Sequence, residues 1–478
     1  VSLLLASHRF SQFPDSKVLV LAPTRPLVEQ HIVTFKKHLD IPDDQFAVFT
    51  GFVSPVKRAE LWKSSKVIFS TPQGLQNDIV TNRISLDDVS LLVFDEAHRA
   101  VGDYAYVFVA KQYFKKAKFP RILALTASPG SDKSKIDEIL KNLFIEKIEV
   151  RTDQDPDVKP YIQDVDVEWV KVNLSPPFLQ VQKFFKDFVK DRVSKLKSWG
   201  VLRRKNIDFV SKTDLLKLQA ELRGRAAKGG KDFTLWSAIS VLAEIMKISH
   251  GLELLESQGV NALFSYLEKL QKEGYSGKTK AVKNIVQDIN FKSALVKTRS
   301  MFDHGFQHPK LIELQKIISD VSPDMKVIVF NQFRDNALNI VEEINKLPNI
   351  NAELFVGQQK KGGSGLSQKQ QKELLDKFRN NEFNVLVATS VGEEGLDIPK
   401  VDWVIFFEPI PSAIRHIQRR GRTGRLDKGR VIILIAKNTR DEGYRWSAYH
   451  KEKRMYRNLD SLRKKLVLNV PSQSSLKT

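Results

Sequence analysis

The chain contains no cysteine and only four methionines in 478 residues. Without cysteine there can be no disulfide, thiolate zinc site or cysteine nucleophile. No apolar run approaches the ~20 residues a membrane helix needs, so no membrane partner is expected. Negative charge is also scarce: 56 Asp and Glu stand against 77 Lys and Arg, a formal net charge of +21. The chain opens on Val1, with no basic leader or cleavage site, and reads as a piece of a longer intracellular protein. That means cytoplasmic in a prokaryote or nuclear in a eukaryote. At 478 residues it is too long for one ordinary core, so two or three domains are expected.

What is present is 42% hydrophobic and 28% charged residues, the balance of a globular protein. The positive charge is concentrated. Residues 181–300 hold 24 Lys and Arg against 12 Asp and Glu, which suits a polyanionic partner because bound phosphates release counterions.

Short apolar runs rich in β-branched residues recur at 17–24, 66–72, 91–98 and 121–129, and again at 326–333, 384–395, 402–409 and 430–437. Helix-like spacers separate them, as in parallel α/β sheets, where ligands bind beyond the carboxyl ends of strands. Between the two series the texture becomes helical. Leu235, Ile239, Leu242 and Met246 fall on one helix face and are expected to form a bundle core, as are Phe184, Phe185 and Trp199. Ser367 and Gln370 carry the spacing of a capping box.

The stretch GYSGKT at 274–279 ends like a phosphate-binding loop, but position 272, where the first glycine belongs, is lysine. No strand precedes it, so it is not expected to hold a nucleotide. Chemistry concentrates instead at strand ends. Asp95 and Glu96 follow a strand directly, so their side chains diverge; one can hold Mg²⁺ while the other works on a water. Gln418, Arg422 and Arg425 lie in a run with five arginines between 415 and 425, suited to bidentate phosphate contact. Gly395 and Asp397 sit in a glycine loop after a strand, where the carboxylate could accept a ribose hydroxyl. Thr24, Arg25, Thr126 and Ser128 offer hydroxyl and cationic groups at other strand ends.

In this order APTRPLVEQ, TPQGL, DEAH, TAS, VGEEGLDIP and QRRGRTGR resemble the motif series of superfamily-two helicases over nearly the whole chain. The run 384–425 and the basic insert most resemble the Hef branch, archaeal relatives of the Fanconi anaemia group M branched-DNA translocases. The resemblance implies two RecA-like α/β lobes at 1–155 and 307–440, a basic thumb-like helical insert at 156–306 and a basic helical tail at 441–478. It implies an ATP- and Mg²⁺-dependent helicase acting on forked or branched DNA in repair or fork processing. Asp95 would bind Mg²⁺ and Glu96 would activate water. His98, Thr126 and Ser128 would couple hydrolysis to movement, and Arg422 and Arg425 would act as arginine fingers beside Gln418. Gly395 and Asp397 would face the nucleotide; Thr24, Arg25, Gly51, Thr71, Pro72, Gly74 and Thr389 would line the nucleic-acid track.

Two departures accompany the match. The family's phosphate-loop lysine would lie upstream of Val1, so residues 1–478 alone are expected to hydrolyse ATP poorly. The acidic nuclease core that follows the Hef helicase has no counterpart here, so nuclease activity is not expected. Two other readings stay open: a motor tracking double-stranded RNA, as Dicer-type and innate-sensor helicases do, and a non-catalytic nucleic-acid-binding module.

Overall fold

A computed structural model describes the chain apart from residues 128, 152–154, 162–164, 203–211, 228–232, 278, 358–364, 390–400, 410–428 and 469–478. The first lobe runs α1 (Ser2–Gln12), β1 (Lys17–Leu21), α2 (Arg25–His38), β2 (Phe46–Phe49), α3 (Pro55–Ser64), β3 (Val67–Ser70), α4 (Pro72–Val80), β4 (Val89–Phe94), α5 (Ala105–Lys116), β5 (Ile122–Ala124) and α6 (Lys133–Asn142). Its five strands are parallel, in the order β2-β3-β1-β4-β5. Alternation decides which way each side chain points. Leu19, Leu21, Leu92 and Phe94 pack with Tyr106 and Tyr113 on one face, whereas Val18, Val20, Leu91 and Val93 pack with Val28 and Phe35 on the other. Proline in the first two positions starts α2, α3 and α4, where its missing N–H costs nothing. All the strands therefore end on one edge of the sheet, and each hands the chain to a loop or helix there.

The second sheet has six parallel strands in the order β6-β11-β10-β7-β9-β8. These are β6 (Val165–Val172), β7 (Val327–Phe330), β8 (Ala352–Phe355), β9 (Val385–Ala388), β10 (Trp403–Phe406) and β11 (Gly429–Ala436). Strand β6 differs from the sequence reading, which gave 156–306 wholly to the helical insert. Val165–Val172 instead pairs with β11 over eight residues, so the chain enters the second sheet before it builds the insert. Its alternating charged residues (VDVEWVKV) hid the strand, because an edge strand needs only one buried face.

The insert consists of α7 (Pro176–Ser198), α8 (Lys212–Ala227), α9 (Phe233–Ser257), α10 (Val260–Tyr275), α11 (Lys280–Gln287) and α12 (Ile289–Asp303). Phe185, Leu235 and Leu242 are buried as expected, with Ile239 and Phe184 at the margin of the core. The buried stripe of α9 also takes Ala238 and Ile245 rather than Met246, and Trp199, at the end of α7, is exposed. Inside the bundle Arg192 donates to Glu244 at 2.7 Å and Asp288 at 3.0 Å, and Asn284 adds a bond to Glu244 at 2.7 Å.

GYSGKT has a structural explanation. A Cβ on Gly274 would meet Val286 at 2.6 Å, so glycine permits the close approach of α10 and α11. Gly277 adopts φ +71, and the Thr279 hydroxyl caps α11 by accepting from Val282 N. The stretch is a helix-to-helix turn.

Helices α13 (Pro309–Ser319), α14 (Arg334–Ile344), α15 (Gln368–Arg379) and α16 (Arg440–Leu468) complete the described elements. The Ser367–Gln370 capping box forms as the spacing predicts. A buried polar joint fastens the insert to the second lobe. Glu256 of α9 accepts from Arg440 N at 3.2 Å, Gln182 of α7 donates to Asn438 O at 3.3 Å, and His308 Nε2 lies 3.1 Å from Glu256 O. Within each side, Gln182 donates to Glu256 at 2.8 Å, and Lys310 donates to Asp441 at 2.8 Å and to Phe407 O at 3.1 Å. His308 Nδ1 accepts from Lys310 N, so the ring is neutral with its proton on Nε2; burial lowers its pKa to about 3. From the other side, Asn458 on α16 donates to Ser131 O of the first lobe at 3.1 Å. No helix among the described residues is long and apolar enough to cross a membrane.

Candidate functional site

Strand β4 is buried along its whole length and delivers Asp95 and Glu96 at its carboxyl end. The backbone stays in the sheet to that point: Asp95 N donates to Leu21 O and Ala97 N to Leu125 O, each at 2.9 Å. Between them Glu96 takes φ 49, a left-handed conformation that a non-glycine residue holds only when its surroundings over-determine it. The turn sends the adjacent carboxylates apart. Asp95 Oδ1 accepts from Glu96 N at 2.9 Å, and Asp95 Oδ2 lies 2.8 Å from His31 Nε2. Glu96 Oε2 is buried beside His98 Nδ1, 3.2 Å away, without hydrogen-bonding geometry. His98 Nδ1 also lies 3.1 Å from Thr126 Oγ1, just beyond β5. Asp95, Glu96, His98 and Thr126 thus form one constellation across the ends of β4 and β5.

Among the described residues no group of three His, Cys, Asp or Glu could cage a metal. Mg²⁺ bound to a phosphate substrate keeps several waters and needs only one or two carboxylates. Asp95, a single carboxylate at the end of β4, fits that arrangement.

On the other half of the same edge stand the remaining first-lobe candidates. Thr24 stands at the N-terminus of α2 after β1 without a capping hydrogen bond from its side chain, and Thr71 and Pro72 open α4 after β3, with Gly74 in its first turn. Gly51 follows β2, and a Cβ there would meet nothing within 4 Å. Arg25 pairs with Glu29 at 2.5 Å and lies 4.4 Å from the centre of the exposed Phe52 ring. Strand order therefore separates an acidic half, β4-β5, from a hydroxyl-, glycine- and arginine-bearing half, β2-β3-β1. Thr389 ends β9 in the second sheet, buried, with its N–H bonded to Phe355 O at 3.1 Å. Ser128, Gly395, Asp397, Gln418, Arg422 and Arg425 lie outside the described residues.

Three supporting groups were missed by the sequence reading. Tyr106 on α5 donates to Asp95 O at 2.7 Å; burial raises its pKa far above the ordinary value, so it stays a donor. Arg58 grips Asp78 through both carboxylate oxygens, at 2.5 and 2.9 Å, and its third nitrogen donates to Val53 O, anchoring the loop that carries Gly51. His31 is the third. All three pair across at least 11 residues of sequence, where no short motif can signal them.

Comparison with known proteins follows the same division of the chain. A DEAD/DEAH box helicase model matches residues 1–136, the helical bundle of an ATP-dependent RNA helicase matches 178–302, and a helicase conserved C-terminal domain matches 309–427. The crystal structure of the Pyrococcus furiosus Hef helicase domain is similar at TM-score 0.72 and 46% identity, covering 94% of this chain and 92% of that one. The ATP-dependent DNA helicase fml1 of Schizosaccharomyces pombe is 32% identical over 94% of this chain and 54% of its own length. The DEAD-box ATP-dependent RNA helicase FANCM of Arabidopsis thaliana is 36% identical over 93% of this chain and 33% of its own length. The chain spans about half, or less, of the length of the curated relatives it matches.

Proposed function

Because the chain belongs to the DEAD/DEAH box helicase family, in the group that includes the Pyrococcus furiosus Hef helicase domain, we propose that it is the motor part of an ATP-dependent DNA translocase. Its track would be forked or branched DNA, met during repair or replication-fork processing. The observation that carries this reading is the shared edge of the first sheet. Asp95 and Glu96, the candidate hydrolytic pair, stand at the end of β4 beside the end of β1, where Thr24 and Arg25 begin the candidate track, so that one conformational change could reach both. The DNA helicase name of the fission-yeast relative supports the choice of track.

In this mechanism Asp95 would hold Mg²⁺, which would supply neutralisation of charge on the phosphate oxygens. Glu96 accepts a proton from the attacking water, and His98 keeps that carboxylate in contact with Thr126. Ser128 belongs to the same coupling segment. From the second lobe Arg422 and Arg425 would offset charge in the transition state beside Gln418, and Gly395 and Asp397 would face the nucleotide. Thr24, Arg25, Gly51, Thr71, Pro72, Gly74 and Thr389 contact the nucleic-acid backbone, giving grip with little base specificity.

The test uses the full-length protein, measuring ATP hydrolysis alone and with forked DNA, linear duplex DNA and double-stranded RNA. Strongest stimulation by the fork is expected. Preferential stimulation by RNA would move the protein to a second reading, an RNA-tracking motor, which draws on the names of the Arabidopsis relative and the helical-bundle model. No hydrolysis with tight DNA binding would leave a binding module.

A further inference from the structure

Helix α2 carries a polar side chain on its inward stripe. Val28 and Phe35, buried against the sheet, define that stripe at helical spacing, and His31 falls between them. At an inward position a histidine would ordinarily cost stability unless partnered. Its partner is Asp95: His31 Nε2 lies 2.8 Å from Oδ2, and both side chains are about three-quarters buried, at 26% and 20% exposure. A carboxylate can only accept, so His31 donates its Nε2 proton. Asp95 Oδ1 is meanwhile taken by Glu96 N. With one oxygen held by the backbone and the other by the ring, the carboxylate is fixed in rotation.

We propose that His31 is a positioning residue for hydrolysis: it orients the Asp95 carboxylate from α2, the same helix whose first turn carries Thr24 and Arg25. The proposal rests on the reading of Asp95 and Glu96 as the hydrolytic pair. Outer hydrogen-bond partners of this kind orient a metal-binding carboxylate, and their loss typically costs about 10–100-fold in metal affinity or activity. The placement adds a second consequence. His31 lies six residues from Arg25, about 9 Å along the axis at 1.5 Å per residue, so nucleic acid drawing on the first turn of α2 acts on the carboxylate through one rigid element. Nucleic-acid stimulation of hydrolysis then depends on His31 while nucleic-acid binding does not.

Two variants of the full-length protein separate orientation from packing. His31→Gln keeps an N–H donor; His31→Met fills the space without one. Three quantities are read: Mn²⁺ affinity in the presence of ADP, by electron paramagnetic resonance; kcat and KM for ATP with and without forked DNA; and DNA affinity without nucleotide. His31→Met should weaken Mn²⁺ binding and lower DNA-stimulated kcat by about 10–100-fold, with DNA affinity and melting temperature near wild type. His31→Gln should restore most of both. Wild-type Mn²⁺ affinity and kcat in His31→Met would overturn the proposal. So would equal losses in both variants accompanied by a lower melting temperature, which would mark a packing role. Asp95→Asn and Glu96→Gln are measured alongside. If they abolish hydrolysis while His31→Met does not, only the role of His31 falls; if they too hydrolyse normally, the reading of the site falls with it.

Discussion

Glu408 shows how a single buried group sets a pH dependence. It follows β10, accepts from Gln332 N at 2.9 Å through one oxygen, and has no hydrogen-bond partner on the other. Burial pushes its pKa from 4.5 up to about 7, with Lys310 opposing the shift. The folded chain therefore holds a proton that the unfolded chain releases, and this group's contribution falls as pH rises from about 4.5 through about 7. His308 acts with the opposite sign: lowered to about 3, it favours the folded state increasingly as pH rises from about 3 through its ordinary 6.5. Glu408→Gln removes one slope and leaves the other. Its melting temperature relative to wild type should rise between about pH 5 and pH 8; a constant difference across that range would contradict the buried, proton-holding Glu408. At this scale, legibility depended on contiguity. Asp95, Glu96 and His98 could be read from the sequence because β4 ends in them directly. His31 could not, because its hydrogen bond spans 64 residues and α2 looks like an ordinary amphipathic helix. Nor could Glu408, whose neighbours are set by the joint between insert and lobe.

Elements are held in register by a few buried ion pairs, and the Arg58–Asp78 pair is the clearest in the first lobe. It joins α3 to α4 with both side chains buried, and Arg58 also holds Val53 O. Removing one partner leaves an uncompensated charge, so Asp78→Ala should cost about 3–5 kcal/mol in urea unfolding followed by tryptophan fluorescence. A loss below about 1 kcal/mol would mean that water reaches Arg58 and the pair is not structural. Most strands were visible as β-branched runs, and the Ser367–Gln370 cap appeared where its spacing placed it. Strand β6 was not visible, since VDVEWVKV alternates charge with apolar residues, unlike the continuous apolar runs of the other strands. Glycine misled in the other direction. Gly274 and Gly277 imitate a phosphate loop, but one permits helix packing and the other a left-handed turn.

For the molecule as a whole, the first parallel sheet places the proposed hydrolytic and nucleic-acid-contacting residues on one edge, and a buried polar joint ties the bundle to the second lobe. The sequence made the order of lobes and insert readable through its strand-end motifs. It did not reveal that the chain visits the second sheet first, because topology is a property of pairing rather than of any one segment. The central claim is that Glu96 serves hydrolysis and not the grip on DNA. It is tested most directly by Glu96→Gln in the full-length protein, measured for forked-DNA affinity and for fork-stimulated ATP hydrolysis. The account predicts DNA affinity within about 2-fold of wild type and kcat lower by about 10²–10⁴-fold, the usual contribution of a positioned general base. Hydrolysis at the wild-type rate would contradict it.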